Sequence, residues 1–325
     1  MSEHHVIAVD LGGTHIRVAI VSESGELRHR SSIPTEAGQG PRAVIERIGS
    51  LVQEVAAHAG VADDVPVGVA SPGPLNPRTG IVHYTPNLPG WRDVPFVEWL
   101  SGMTSRRVAL ANDGNCAALG EVQFGSAKGI RNLVYLALGT GIGGGVISEG
   151  VLIDGKHGLG AEVGHTLVAL DGPRCSCGSV GCLESFAAGW AIKREAEAVA
   201  TTADGDRMRE LAGKGEIHAG IVAQAARMGD VAANLILERA GRALGGAMGS
   251  FVNMFDPEMI VIGGGVATIG DVLVEAAKRV MPSYCFVDMR RDVKITYSSL
   301  GADTGMYGAA ALAFKVFPDV ASVAG

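Results

Sequence analysis

No stretch of this 325-residue chain approaches the ~20 consecutive apolar residues that a bilayer-spanning helix requires. Its amino terminus, Met1-Ser2-Glu3-His4-His5, runs straight into Val6-Ile7-Ala8-Val9, too short for the apolar core of a secretory signal. These absences make the cytoplasm the expected compartment, with no membrane partner. A positive surplus is also missing. The net charge of −7 excludes broad electrostatic adhesion to nucleic acid or to an anionic membrane. An acidic protein binds phosphate locally, through backbone N–H groups and metal ions. Charge runs and low-complexity linkers are absent, so no sharp domain boundary is marked. Cysteine is scarce, at five positions: Cys116, Cys175, Cys177, Cys182 and Cys285. Three of them fall within eight residues, which in a reducing compartment points to metal before disulfide.

What is present is glycine, at 47 positions, among 47 % hydrophobic and 19 % charged residues. That balance fits an α/β protein rich in tight turns, long enough for two domains. Val6 to Asp10, Ile16 to Val21 and Leu27 to Ile33 read as a β-meander. Val44, Ile45, Ile48, Leu51, Val52 and Val55 recur at helical spacing over 41–58, with Gly60 just past the end. Buried strands are expected at 65–70, 133–138 and 259–262. Helices are expected at 190–200, 232–255, 272–280 and 305–317. A second hairpin, with Gly139 to Gly145 as its turn and Val146 to Ser148 as its return strand, repeats the first. The shared Gly-Thr turns point to an internal duplication. The expected domains are 1–116 and 117–302, with the last helix, about 303–325, packing back on the first.

Three glycine turns carry the candidate chemistry. Asp10-Leu11-Gly12-Gly13-Thr14 opens the first hairpin, and Arg17 follows. Glycine lets a backbone approach a phosphate closely, Thr14 adds a hydroxyl, and Asp10 is placed to hold Mg²⁺ through water. A plain tight hairpin with a polar cap is the alternative. In Gly139-Thr140-Gly141-Ile142-Gly143-Gly144-Gly145, five glycines in seven positions weaken a strand unless something lies against its backbone. The absence of a Lys-Ser/Thr ending excludes a P-loop, and the strand that follows argues against a dinucleotide fingerprint. Gly263-Gly264-Gly265-Val266, after a buried strand, offers a rest for a flat nucleoside. Elsewhere, Asn112-Asp113 ends a strand just before a helix, where a carboxylate can accept a hydroxyl proton. Finally, His165 with Cys175, Cys177 and Cys182 supplies the four N/S donors of a closed, structural zinc site. A disulfide or ordinary buried thiols compete with that reading.

The Asp-x-Gly-Gly-Thr hairpin, the Gly-Thr-Gly hairpin and the later Gly-Gly-Gly turn resemble the actin-like ATPase (ribonuclease H-like) fold. That resemblance implies an α/β protein of two related domains around a nucleotide cleft. Together with the Glu162-Val163-Gly164-His165 and cysteine motifs, the chain resembles the ROK family (repressors, open reading frames and kinases) from Ile7 to the last helix. The resemblance implies an ATP-dependent hexose kinase, glucose leading, with Asp113 as general base. It places Asn112, Asp113, Glu162, His165 and Glu184 on the sugar, and Asn87 of Pro86-Asn87-Leu88-Pro89-Gly90-Trp91 beside them. Ser71-Pro72-Gly73-Pro74 resembles a loop lining the same cleft. His165 would use one ring nitrogen for zinc and the other for sugar. The resemblance also implies a homodimer or tetramer.

N-acetylmannosamine kinases and fructokinases of the family share most of these motifs, and polyphosphate stays open as donor beside ATP. A repressor of the family carries a helix-turn-helix ahead of the first hairpin. Five residues precede Val6 here, so none is expected. A sugar-binding protein without catalysis is disfavoured by Asp10, Asp113 and the Gly-Thr turns.

Overall fold

The computed structural model describes residues 4–85, 87–265, 271–286 and 293–319. Pro86, Val266 and residues 320–325 of the expected terminal segment lie outside the described residues. In chain order the elements begin β1 (His5–Leu11), β2 (His15–Ser22), β3 (Leu27–Pro34), α1 (Pro41–Ala59), β4 (Val67–Ser71), β5 (Leu75–Asn76), β6 (Ile81–Tyr84) and β7 (Arg92–Pro95). Next come α2 (Phe96–Thr104), β8 (Val108–Asn112), α3 (Asp113–Gln123), β9 (Leu133–Leu138), β10 (Ile142–Ser148) and β11 (Val151–Leu152). The remainder is α4 (Glu184–Ala187), α5 (Gly189–Val199), α6 (Asp206–Ala212), α7 (Ala219–Arg227), α8 (Val231–Phe255), β12 (Met259–Gly263), α9 (Asp271–Val280), β13 (Lys294–Tyr297) and α10 (Thr304–Val316).

The chain forms two compact units. The first holds residues 1–129, 151–161 and 298–325; the second holds 130–150 and 162–297. Residue 116 lies inside α3, whose hydrogen-bonded turns keep it whole within the first unit. No sequence signal marked 151–161 as part of that unit.

In the first unit the sheet order is β3-β2-β1-β4-β8. β1 runs antiparallel to β2, with Asp10 opposite Arg17, while β1, β4 and β8 are mutually parallel. Val6 to Val9 and Val67 to Ala70 are buried on both faces, as strands inside a parallel layer must be. The α1 residues at helical spacing are all buried, Pro41 opens the helix, and Gly60 closes it at φ 63°. α10 packs on α3, β1 and β4. It comes so close that a Cβ on Gly68 of β4 would strike the Ala309 carbonyl. Gly68→Ala is therefore expected to destabilise the protein by about 3 kcal/mol, read as a lower urea midpoint with an unchanged slope.

In the second unit β10, β9, β12 and β13 repeat β2, β1, β4 and β8 in order and sense, antiparallel for the first pair and parallel after it. The duplication expected from two hairpins thus extends over four strands. One boundary differs from expectation, because β10 begins at Ile142 and not at Val146. Only Gly139 to Gly141 turn. Gly144 lies within the strand, where a Cβ would strike the Tyr135 carbonyl and stand 2.5 Å from Val163 Cγ2. Close packing, not turning, explains that glycine. The short helices α2, α6 and α7 escaped the sequence reading, since two turns give periodicity little room to register.

Candidate active site and metal loop

The first unit gathers its candidate residues at the carboxyl ends of β1, β4 and β8, the edge where parallel α/β sheets bind ligands. After β1 the turn is fixed by Gly12 N–H donating to His15 O at 3.0 Å and Thr35 Oγ1 donating to Gly12 O at 2.7 Å. Gly13 and Thr14 are left exposed. A Cβ on Gly13 would sit 3.3 Å from Asn87 Cβ, so the Asn87 loop and the glycine turn are neighbours. Arg17 Nη1 donates to Asp10 Oδ2 at 3.1 Å. Burial pushes the Asp10 carboxyl up from its ordinary value, Arg17 opposes the rise by charge and hydrogen bond, and Asp303 adds to it. Such a crowded carboxylate favours a further cation beside it.

At the end of β8, Asn112 caps α3: its Oδ1 accepts from Gly114 N–H at 2.9 Å. Asp113 follows as the first residue of α3, exposed, with Oδ1 accepting from the same N–H at 2.8 Å. A helix N-terminus is where an acid is electrostatically favoured. The Ser71-Pro72-Gly73-Pro74 loop reaches Asn112 too, since a Cβ on Gly73 would lie 3.2 Å from Asn112 Nδ2. Two residues escaped the sequence reading. Asp303 bears on Asp10, and a Cβ on Gly305, in the first turn of α10, would strike the Asp10 carboxylate. Nothing local to 303–305 signals this, because the contact is made across the fold. Cys116 is a packing thiol, fully buried and pushed well above its usual range by loss of water. Cys285 is likewise buried.

The second unit assembles the others. The turn after β9 is closed by Gly139 N–H donating to Gly141 O at 2.9 Å. The start of α5 seats on that turn, with Gly189 N–H on Gly139 O at 2.9 Å and Trp190 N–H on Thr140 O at 3.2 Å. Gly264 follows β12 at φ 87° and crosses the end of β9, where a Cβ would strike the Leu138 backbone. Gly265 beside it is open on its Cβ side. The turns after β9 and β12 therefore share one sheet edge.

His165, Cys175, Cys177 and Cys182 present ligand atoms that all lie within 4.8 Å of one another. Tetrahedral coordination with metal–sulfur bonds of ~2.3 Å sets donors about 3.8 Å apart. Cys177 Sγ stands 3.8 Å from Cys182 Sγ, and Cys175 Sγ stands 3.7 Å from His165 Nδ1. The donor set and these spacings fit a tetrahedral metal. Hydrogen bonding from the Ser179 backbone pulls the Cys177 thiol down to about 7, while burial pushes Cys182 up to about 12. Gly181, at φ 76°, passes hard against the Ala169 carbonyl, which closes the loop.

Glu184 links this loop to the glycine turn. It is 7 % exposed, and its Oε2 accepts from Ile142 N–H at 2.9 Å. Its Oε1 accepts from Ser176 Oγ at 2.8 Å and faces Cys175 Sγ at 3.7 Å. Ser176 was not singled out from the sequence, though it sits between Cys175 and Cys177 of the candidate metal quartet. Glu162 precedes the short turn carrying His165. Loss of water pushes its carboxyl up, His165 opposes, and Glu184 adds.

Known proteins share this architecture. A glucokinase of Thermotoga maritima is 37 % identical over 314 residues, covering 96 % of this chain and 98 % of the relative. The crystal structure of a ROK hexokinase from Thermus thermophilus superposes with a TM-score of 0.84 at 33 % identity, covering 97 % of this chain and 99 % of that one. A ROK family glucokinase from Streptomyces griseus, in complex with glucose and AMPPNP, gives 0.79 at 29 % identity over 96 % of this chain and 99 % of its own. These likenesses carry the actin-like ATPase fold across the whole chain. The ROK family model matches residues 6–316, and the chain belongs to the ROK family.

Proposed function

We propose that this protein is an ATP-dependent sugar kinase that phosphorylates the primary hydroxyl of a free hexose, with glucose the preferred acceptor. The observation that carries this reading is the alignment of Asp113, Asn112, Asp10 and the Gly12-Gly13-Thr14 turn along one edge of one sheet. Asp113 accepts the proton of the attacking hydroxyl. The sugar oxygen forms its bond to the terminal phosphorus as the bond to the β-phosphate bridging oxygen breaks, and ADP leaves. The Gly12-Gly13-Thr14 and Gly139-Thr140-Gly141 turns lie against phosphate oxygens: Gly13, Thr14, Thr140 and Gly141 supply N–H and hydroxyl donors, while the N–H groups of Gly12 and Gly139 hold the turns. Arg17 steadies Asp10, and Gly264 and Gly265 admit the nucleoside. Mg²⁺, when bound, offsets phosphate charge, and Asp10 is the carboxylate that would hold it through water.

Asn87, Asn112, Glu162, His165 and Glu184 take the sugar hydroxyls. Glu184 Oε2 keeps a lone pair beyond its bond from Ile142 N–H. His165 turns Nδ1 to the thiolates, which leaves Nε2 for sugar. His165, Cys175, Cys177 and Cys182 would hold a structural Zn²⁺ that fixes this loop. The protein is further proposed to work in the cytoplasm and to assemble as a homodimer or tetramer; no described helix is long and apolar enough to cross a membrane.

Coupled ADP release against glucose, N-acetylmannosamine and fructose tests the assignment. Glucose is expected to give the highest kcat/KM. Preference for N-acetylmannosamine would move the protein to that branch, and sugar binding without ADP release would make it a non-catalytic binder. Gly305→Ala is expected to displace the Asp10 carboxylate and cost about a hundredfold in kcat, with hexose affinity retained in a binding titration.

A further inference from the structure

The first unit contains a cavity of about 470 Å³, with walls that include Leu75, Leu119, Val151, Leu312, Val316 and Phe317. That size suits a small organic ligand. Every residue of β8 lines it, from Val108 to Asn112. β8 is the outermost strand of its sheet, so one side of its backbone has no neighbouring strand. The cavity shares only Asn112 with the candidate active site and extends from there to the last turn of α10.

Asn115, Asp154 and Lys315 also line it. Asp154 is committed to Arg78, whose Nη2 donates to both carboxylate oxygens at 3.0 and 3.2 Å. Asn115 is 5 % exposed, and its Oδ1 has no hydrogen-bond partner among the described residues. Lys315 makes no ion pair among the described residues; loss of water disfavours its charge, and Asp154 offsets this only in part. Apolar walls with one uncommitted cation suit a monoanion. Lys315 stands exposed at one end of the cavity, so its single charge pairs with an acid group there while the apolar walls take the rest of the ligand.

We propose that this cavity binds a small amphipathic carboxylate, with its apolar body along β8 and its acid on Lys315, and that occupancy alters hexose affinity. Coupling follows from Asn115, which stands in the first turn of α3 two residues past Asp113. That half rests on the kinase reading; the binding half does not.

Octanoate and 3-phenylpropionate, each paired with its neutral amide, serve as probes for saturation-transfer NMR on the full chain. Saturable binding of at least one acid is expected, about tenfold weaker for its amide and for Lys315→Met. Val151→Trp should abolish it, because residue 151 is 63 % exposed and its indole would close the mouth without disturbing the core. Binding that Lys315→Met leaves at full strength, that glucose abolishes by direct competition, or that neither acid shows would overturn the site. A hexose KM unmoved under saturating acid would overturn the coupling alone. Failure of the kinase reading would appear differently, as absent turnover with acid binding intact.

Discussion

Asp113→Asn is expected to lower kcat by about a thousandfold while hexose affinity stays nearly unchanged. The substitution preserves size and keeps an oxygen to accept from Gly114 N–H, so the start of α3 remains capped by Asn112. On the proposed mechanism, what disappears is the capacity to take a proton from the attacking hydroxyl. Because proton transfer belongs to the transition state, the loss falls on kcat and kcat/KM together. Isothermal titration with glucose, beside steady-state turnover, separates the two quantities. Near-normal turnover would place the base elsewhere. A parallel collapse of affinity would make Asp113 a binding residue.

Cys177→Ser is expected to remove stoichiometric zinc and to raise the hexose KM about tenfold or more. Cys177 is the exposed member of the quartet, so its replacement opens no core cavity and reports on the metal alone. The path to the sugar side is short. Cys175 and Ser176 both contact Glu184 Oε1, and Glu184 Oε2 holds the start of β10 at Ile142. With the proposed zinc gone, the loop carrying His165 would be freed, and with it the carboxylate that ties it to the glycine turn. Metal analysis of the native protein, followed by KM and thermal melting of the variant, checks each step. Native protein without zinc, or a variant with unchanged KM, would contradict this account of the loop.

How much of this was readable before the fold was known depended on whether the information was local. The α1 stripe from Val44 to Val55 and the Gly60 stop recorded both the helix and its end. The two Gly-Thr hairpins marked both sheets, because a turn is specified by the residues that make it. The donors His165, Cys175, Cys177 and Cys182 were visible as a spacing, and they converge. Other features were non-local and left no trace in any window. Gly305 is forced by Asp10, and Gly68 by Ala309. Residues 151–161 join the first unit through Arg78, which binds Asp154, Gly155 and Lys156. Composition also misled at one point. The run Gly143-Gly144-Gly145 resembles a loop, yet it is strand, and its central Gly144 relieves crowding from Tyr135 and Val163.

A crystal structure of the protein with glucose and a non-hydrolysable ATP analogue probes the proposal at its centre. The predicted result is the sugar's primary hydroxyl within about 3 Å of an Asp113 carboxylate oxygen and in line with the terminal phosphorus. Glucose bound with that hydroxyl turned away from Asp113, or the analogue bound away from the Gly12-Gly13-Thr14 turn, would contradict it.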